Sequence, residues 1–144
     1  MGLTSEELKA VTVILRTSQS ILEVIRKDVA QYGLNPTEFS VLELLYHKGD
    51  QPIQMLGKNV LISSSSTTYV VDKLEQKNYV VRKGCQEDRR VTYAALTNAG
   101  REFMDDIFPQ HQVIISKIFE DLEANEVQDT IAFLKRIGYK AKAL

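Results

Sequence analysis

The chain has 144 residues, with 18 Lys and Arg against 19 Asp and Glu, two His, one Cys, three Pro and no Trp. That length supports one domain or one core with an appended arm, and 44% hydrophobic with 26% charged residues excludes a disordered, collagenous or rod-like chain. One cysteine excludes an intrachain disulfide and any Cys-x-x-Cys zinc site, while a net charge of -1 argues, taken globally, against a nucleic-acid partner.

No stretch approaches the roughly 20 apolar residues of a membrane span. The N-terminus lacks the basic-then-apolar order of a secretory signal. The expectation is a soluble, cytoplasmic protein that binds no membrane and no cofactor.

The first segment reads as a long amphipathic helix opened by a Thr4–Glu7 capping box. Leu8, Val11, Leu15, Ser18, Leu22, Ile25 and Val29 alternate at three- and four-residue spacing, which makes a seam for another helix. Ile14 and Ile21 widen it, and Gly33 supplies a stop. A second helix opens at Asn35-Pro36-Thr37-Glu38, with Asn as cap and Pro in the first helical position, and closes at Gly49. Phe39, Leu42, Leu45 and Tyr46 are its inward stripe. A short third helix runs from about Pro52 to Asn59.

The hydroxyl run Ser63 to Thr68 could be a linker, since such side chains compete with helical hydrogen bonds. Ile62, Thr67, Val70, Val71 and Leu74 nevertheless keep helical spacing through it. The reading is a fourth helix capped by Ser63 or Ser64. From Tyr79 the period becomes two: 79–83 and 91–96 are β-rich runs around a polar tip, Gly84 to Arg90, hence a hairpin with a long loop. Thr97 caps a fifth helix that Pro109 should kink. A last helix carries Val127, Ile131, Leu134 and Ile137.

Three short helices followed by a hairpin make a winged helix-turn-helix, a mainly α fold with a small β wing. Residues 35–100 form this head, and 1–34 with 101–144 form a helical dimerisation region. Split by segment, the charge changes meaning. From Lys58 to Arg90 there are seven basic and four acidic residues, a local +3, and the remainder sums to -4. The head is weakly basic, so its DNA binding should be salt-sensitive.

The run Leu56-Gly57-Lys58-x-x-x-Ile62-Ser63-x-Ser65-x-x-Thr68-x-x-Val71-Asp72-Lys73-Leu74-Glu75-x-Lys77-x-Tyr79-Val80, then Asp88-Arg89-Arg90 and Leu96-Thr97-x-x-Gly100, resembles MarR-type transcriptional regulators. The resemblance covers nearly the whole chain. It implies a homodimer on a pseudo-palindromic, double-stranded DNA operator, and repression relieved by a small anionic or phenolic effector or by oxidation. Carried over, it places Ser64, Ser65, Ser66, Thr68 and Tyr69 on the groove side of the fourth helix, with Lys73 beside them. Hydroxyls position well at base edges and phosphates but discriminate less sharply than Arg on guanine. Many family members hold a basic residue where Ser64 or Tyr69 stands here.

In the wing, Arg89 and Arg90 are candidates for phosphate and minor-groove contact, with Arg82 behind them. Asp88 cannot face DNA favourably and is expected to accept hydrogen bonds from Arg90 or from the turn backbone, fixing the wing's shape. Lys77 reads as a solvated surface charge. Arg16, Tyr46 and His47 are candidates for an effector pocket. Cys85, near Arg82 and Lys83, is a candidate redox residue that has no resolving partner in the chain. His47 and His111 make a poor metal set.

Two rival classes remain. An enzyme is disfavoured by the absence of G-x-S-x-G, a phosphate-binding glycine loop or H-E-x-x-H. A winged-helix dimer acting only through protein–protein contacts is the other, and the basic wing argues against it.

Overall fold

The computed structural model describes residues 5–62 and 66–144. Thr4 of the expected capping box, and Ser63, Ser64 and Ser65, lie outside them. The elements run α1 (Ser5–Ala30), α2 (Pro36–Lys48), β1 (Gln51–Pro52), α3 (Ile53–Asn59), α4 (Thr67–Gln76), β2 (Val80–Gly84), β3 (Thr92–Leu96), α5 (Asn98–Ile118) and α6 (Ala124–Ala143). The chain divides into two compact units, one ending at His111 and one beginning at Gln112.

In the first unit every helix, together with β2 and β3, donates to one core. Val29 and Leu34 come from the end of α1 and the turn after it. Phe39, Val41, Leu42 and Leu45 come from α2, Leu56 from α3, and Val70, Val71 and Leu74 from α4. Val80 and Ala94 close it from the strands, and Met104 and Ile107 from α5. Burying one such Leu, Ile or Met is worth about 1.5–3 kcal/mol, which is why the short helices α3 and α4 hold where they would melt as peptides.

Local chemistry sets the helix ends. At α2, Asn35 Oδ1 accepts from Glu38 N–H at 2.8 Å while Glu38 Oε1 accepts from Asn35 N–H at 2.9 Å, with Pro36 in the first turn. Gly49, at φ 82°, ends the helix by donating to the Leu45 carbonyl.

Two expectations change. The wing is more than a hairpin: Gln51 and Pro52 pair with Ala94 and Tyr93, giving a three-stranded antiparallel sheet in the order β1-β3-β2. Two residues between two helices carry no period-two signal, so on sequence alone they merge into α3. The fourth helix also starts later than Ser63 or Ser64. Ser66 stands at its N-cap, the Ser66 carbonyl accepts the first helical bond from Val70 at 3.0 Å, and the Ser66 side chain makes no capping bond. The hydroxyl run offers several equivalent caps, and the register of Val70, Val71 and Leu74 on the core decides among them.

In the second unit α6 starts with a reciprocal cap, Glu123 N–H to Glu126 Oε1 at 2.8 Å and the Glu126 N–H to the Glu123 side chain. None of its residues is buried, and Ile131, Phe133, Leu134 and Ile137 remain exposed. On α1, Leu8, Val11, Leu15 and Leu22 are likewise exposed along the seam. Among the described residues no helix is long and apolar enough to cross a membrane.

Candidate nucleic-acid interface

The candidate interface is built on α4 and the wing. Val70, Val71 and Leu74 turn one face of α4 into the core, and helical spacing sends Thr68, Tyr69, Asp72 and Lys73 outward, all of them exposed. Ser66 is exposed at the helix start. The Lys73 ammonium sits 5.4 Å from the centre of the Tyr69 ring, a cation–π contact that holds both side chains on the outer face.

The segment after α3 and the residue that ends α4 are both tied to the region of α2. The Ser40 Oγ, buried on α2, accepts from the backbone N–H of Leu61 at 2.9 Å and of Ile62 at 3.0 Å, fixing the residues that follow α3. At the end of α4, Lys77 Nζ donates to the Gly33 carbonyl at 2.8 Å and to Glu38 Oε2 at 2.9 Å. Lys77 is therefore a structural anchor and not a solvated charge. Glu38 is buried on α2, and a buried carboxylate requires a cation.

The wing pairs Val80 with Leu96 through Gly84 with Thr92. At its tip Asp88 organises the turn. Oδ1 accepts from the Arg90 N–H at 3.0 Å and from Arg90 Nε at 3.1 Å, and Oδ2 accepts from Nη2 at 3.3 Å. Those bonds, the guanidinium's first and the backbone N–H's second, hold the Asp88 carboxyl below the usual range. The Arg90 side chain is 91% exposed even so. Arg89 is exposed and, with Lys58 and Lys73, holds no ion pair among the described residues. Lys83 lies 3.8 Å from Asp50. Arg82 points back to α4, where it bonds Asp72 and Glu75. Half-buried Cys85 closes the loop with its N–H on the Val91 carbonyl. Between α3, the start of α4 and the strands lies a cleft of about 400 Å³, lined by Gly57, Thr67, Thr68, Arg82, Arg90 and Thr92.

The Leu96-Thr97-x-x-Gly100 step locks the wing to α5. Thr97 donates its N–H to the Tyr79 carbonyl at 3.0 Å and its hydroxyl to the Asn78 carbonyl, and accepts from the Gly100 N–H at 2.9 Å. A Cβ on Gly100 would stand 2.1 Å from the Tyr79 oxygen. Only glycine lets the first turn of α5 approach so closely.

The three effector-pocket candidates are not drawn together. Tyr46 and His47 join Phe108 in a ring cluster, with centroids 5.8 and 4.7 Å from the Phe ring. The Tyr46 hydroxyl donates to Asp105, and that bond raises its pKa. Arg16 is exposed on α1 and makes no polar or ring contact among the described residues. Sequence reasoning misses a neighbouring pair, Asp28 of α1 and His111 of α5, both buried, with His111 Nδ1 2.8 Å from Asp28 Oδ2 and its ring 4.5 Å from Phe39. A signal for it exists: Asp28 stands three residues after Ile25, on the apolar side of α1, where a carboxylate needs a partner.

Comparison with known proteins settles the family. Residues 34–92 match the MarR family model. The regulator MhqR of Bacillus subtilis is 48% identical over 140 residues, 97% of each chain. The chain is a member of the MarR family. The regulator AbsC of Streptomyces coelicolor superposes with a TM-score of 0.86 at 24% identity, over 100% of this chain and 99% of that one. The MarR-family Sco3205 of the same organism, solved in complex with DNA, superposes at 0.84 with 22% identity over 98% and 91%. This MarR protein is a DNA-binding transcriptional regulator and not an enzyme.

Proposed function

We propose that this MarR regulator acts in the cytoplasm as a homodimeric repressor of a pseudo-palindromic operator and is released by a small aromatic or anionic effector. The observation that carries the dimer is the pair of uncovered apolar seams, Leu8, Val11, Leu15 and Leu22 on α1 and Ile131, Leu134 and Ile137 on α6. Contiguous exposed apolar faces mark association sites. Residues 1–34 and 101–144 contribute the dimer contacts, although α1 also gives its last turns to the core, and 35–100 supplies the reading head. A two-fold axis sets two copies of α4 about 34–36 Å apart, one turn of DNA.

In each head Ser66, Thr68 and Tyr69 face the major groove, Lys73 and Arg89 meet phosphates, and Arg90 reaches phosphate and the minor groove from a tip that Asp88 holds in shape. Tyr46 and His47, beside Phe108, offer ring faces to an aromatic effector, and Arg16 offers a cation to an anionic one. The solvent-facing wing cations favour DNA over a purely protein-binding role.

Sedimentation and fluorescence-anisotropy titration against duplex DNA at several salt concentrations test this reading. A dimer with saturable, salt-dependent binding is expected. Leu15→Glu should yield monomers that lose affinity. Arg90→Ala should weaken binding and lower the slope of log K on log salt, by about 0.9 for each phosphate left without its cation. A monomeric wild type, or an Arg90→Ala variant with unchanged affinity and slope, contradicts it.

A further inference from the structure

The sequence makes Arg82 one more wing cation aimed at DNA, but the structure gives it another occupation. Its fork is spent on α4: Nη2 donates to Asp72 Oδ1 at 2.8 Å and Nη1 to Glu75 Oε1. Asp72 and Glu75 stand three residues apart, so one face of α4 presents both carboxylates together. A planar guanidinium can serve two acceptors with separate nitrogens, which an ammonium cannot do with the same geometry. The Arg82 side chain keeps only 29% of its exposure. The group of three carries a net charge of -1, so it brings no surplus cation to a phosphate. Left unpaired, the two acids on the reading helix would repel the DNA backbone.

We propose that Arg82 is a positioning residue that braces the wing against the recognition helix and makes no phosphate contact. Arg82 is the middle residue of β2, opposite Ala94 in register. Only Lys83 and Gly84 separate it from the loop that carries Arg89 and Arg90. Fixing the strand at this point on α4 fixes where the tip cations stand when α4 lies in the groove. The brace is a polar joint between two elements that already meet the core through Val70, Val71 and Leu74 of α4 and Val80 of β2.

The inference rests on the DNA-binding role of the chain. Its test is anisotropy titration of the full-length dimer on a labelled duplex from the region upstream of its own coding sequence. The variants are Arg82→Gln, Arg82→Lys, Asp72→Asn with Glu75→Gln, and the triple Arg82→Gln, Asp72→Asn, Glu75→Gln. Losing a partly exposed brace should weaken binding about threefold per head, hence about tenfold for a dimer on two half-sites. Arg82→Gln and Arg82→Lys should weaken binding alike, with the salt slope of wild type, because Lys keeps the charge and loses the fork. Neutralising the two acids should also weaken binding, against the electrostatic trend, and the triple variant should be no worse than either parent.

Four results overturn the proposal. They are a slope lowered by about 0.9 per head in Arg82→Gln, rescue by Lys, tighter binding when the acids are neutralised, or no change in any variant. If the wild type gives no saturable binding on any duplex, the DNA-binding role fails first and the brace falls with it.

Discussion

Gly100→Ala is a single methyl with a large expected cost. The added Cβ would stand 2.1 Å from the Tyr79 carbonyl oxygen, 2.9 Å from its carbon and 3.1 Å from Leu96 Cδ2. Ordinary carbon–oxygen contacts lie near about 3.3–3.6 Å, so the start of α5 must withdraw by more than about 1 Å. The obstacle is backbone and cannot rotate away. Withdrawal breaks the Thr97 N–H bond to the Tyr79 carbonyl and loosens the Gly100 N–H bond to the Thr97 hydroxyl, at about 1 kcal/mol each. Overpacking adds about 1–3 kcal/mol. Alanine returns about 1 kcal/mol of helix propensity. The net loss is about 2–4 kcal/mol. At this chain length that lowers the melting temperature by about 7–13 °C. Urea unfolding followed by far-ultraviolet circular dichroism, at one protein concentration, measures it. An alanine variant as stable as wild type, or more stable, would show that the helix-to-strand approach is not tight and that propensity governs the position.

Two other substitutions probe buried polar groups. Asp28→Ala strips a buried imidazole of its partner and should cost about 3 kcal/mol, whereas Glu23→Gln, breaking the exposed pair with Arg26, should leave the urea midpoint unchanged; equal effects would contradict the burial argument. Ser40→Ala leaves the Leu61 and Ile62 N–H groups without their acceptor. It should cost about 1–3 kcal/mol and weaken operator binding together with stability; full retention of both would show that the residues after α3 need no clamp.

The legible parts of this molecule are those where one local rule decides. Asn35, Pro36 and Glu38 spell a helix start, Gly49 its end, and the change of period after Tyr79 marks the wing; each depends on residues within a few positions. The illegible parts depend on long-range partners. Gln51 and Pro52 become a strand only because β3 lies beside them. Lys77 looks like a surface charge until the turn after α1 brings Gly33 and the start of α2 brings Glu38 against it. Arg82, one of four arginines and lysines flanking the wing tip, differs from Arg89 only by facing α4. Composition counted both as positive charge, yet pairing leaves Arg89 available and Arg82 occupied. The same distinction applies to the local +3 of the head, which is carried outward by Lys58, Lys73, Arg89 and the exposed Arg90.

The most direct test of the central claim is nuclease footprinting of the dimer on the DNA upstream of its own coding sequence. The account predicts one protected inverted repeat whose half-site centres lie about one helical turn apart, lost in the Leu15→Glu variant. Protection without a repeat, or none above an unrelated duplex at the same salt, would contradict it.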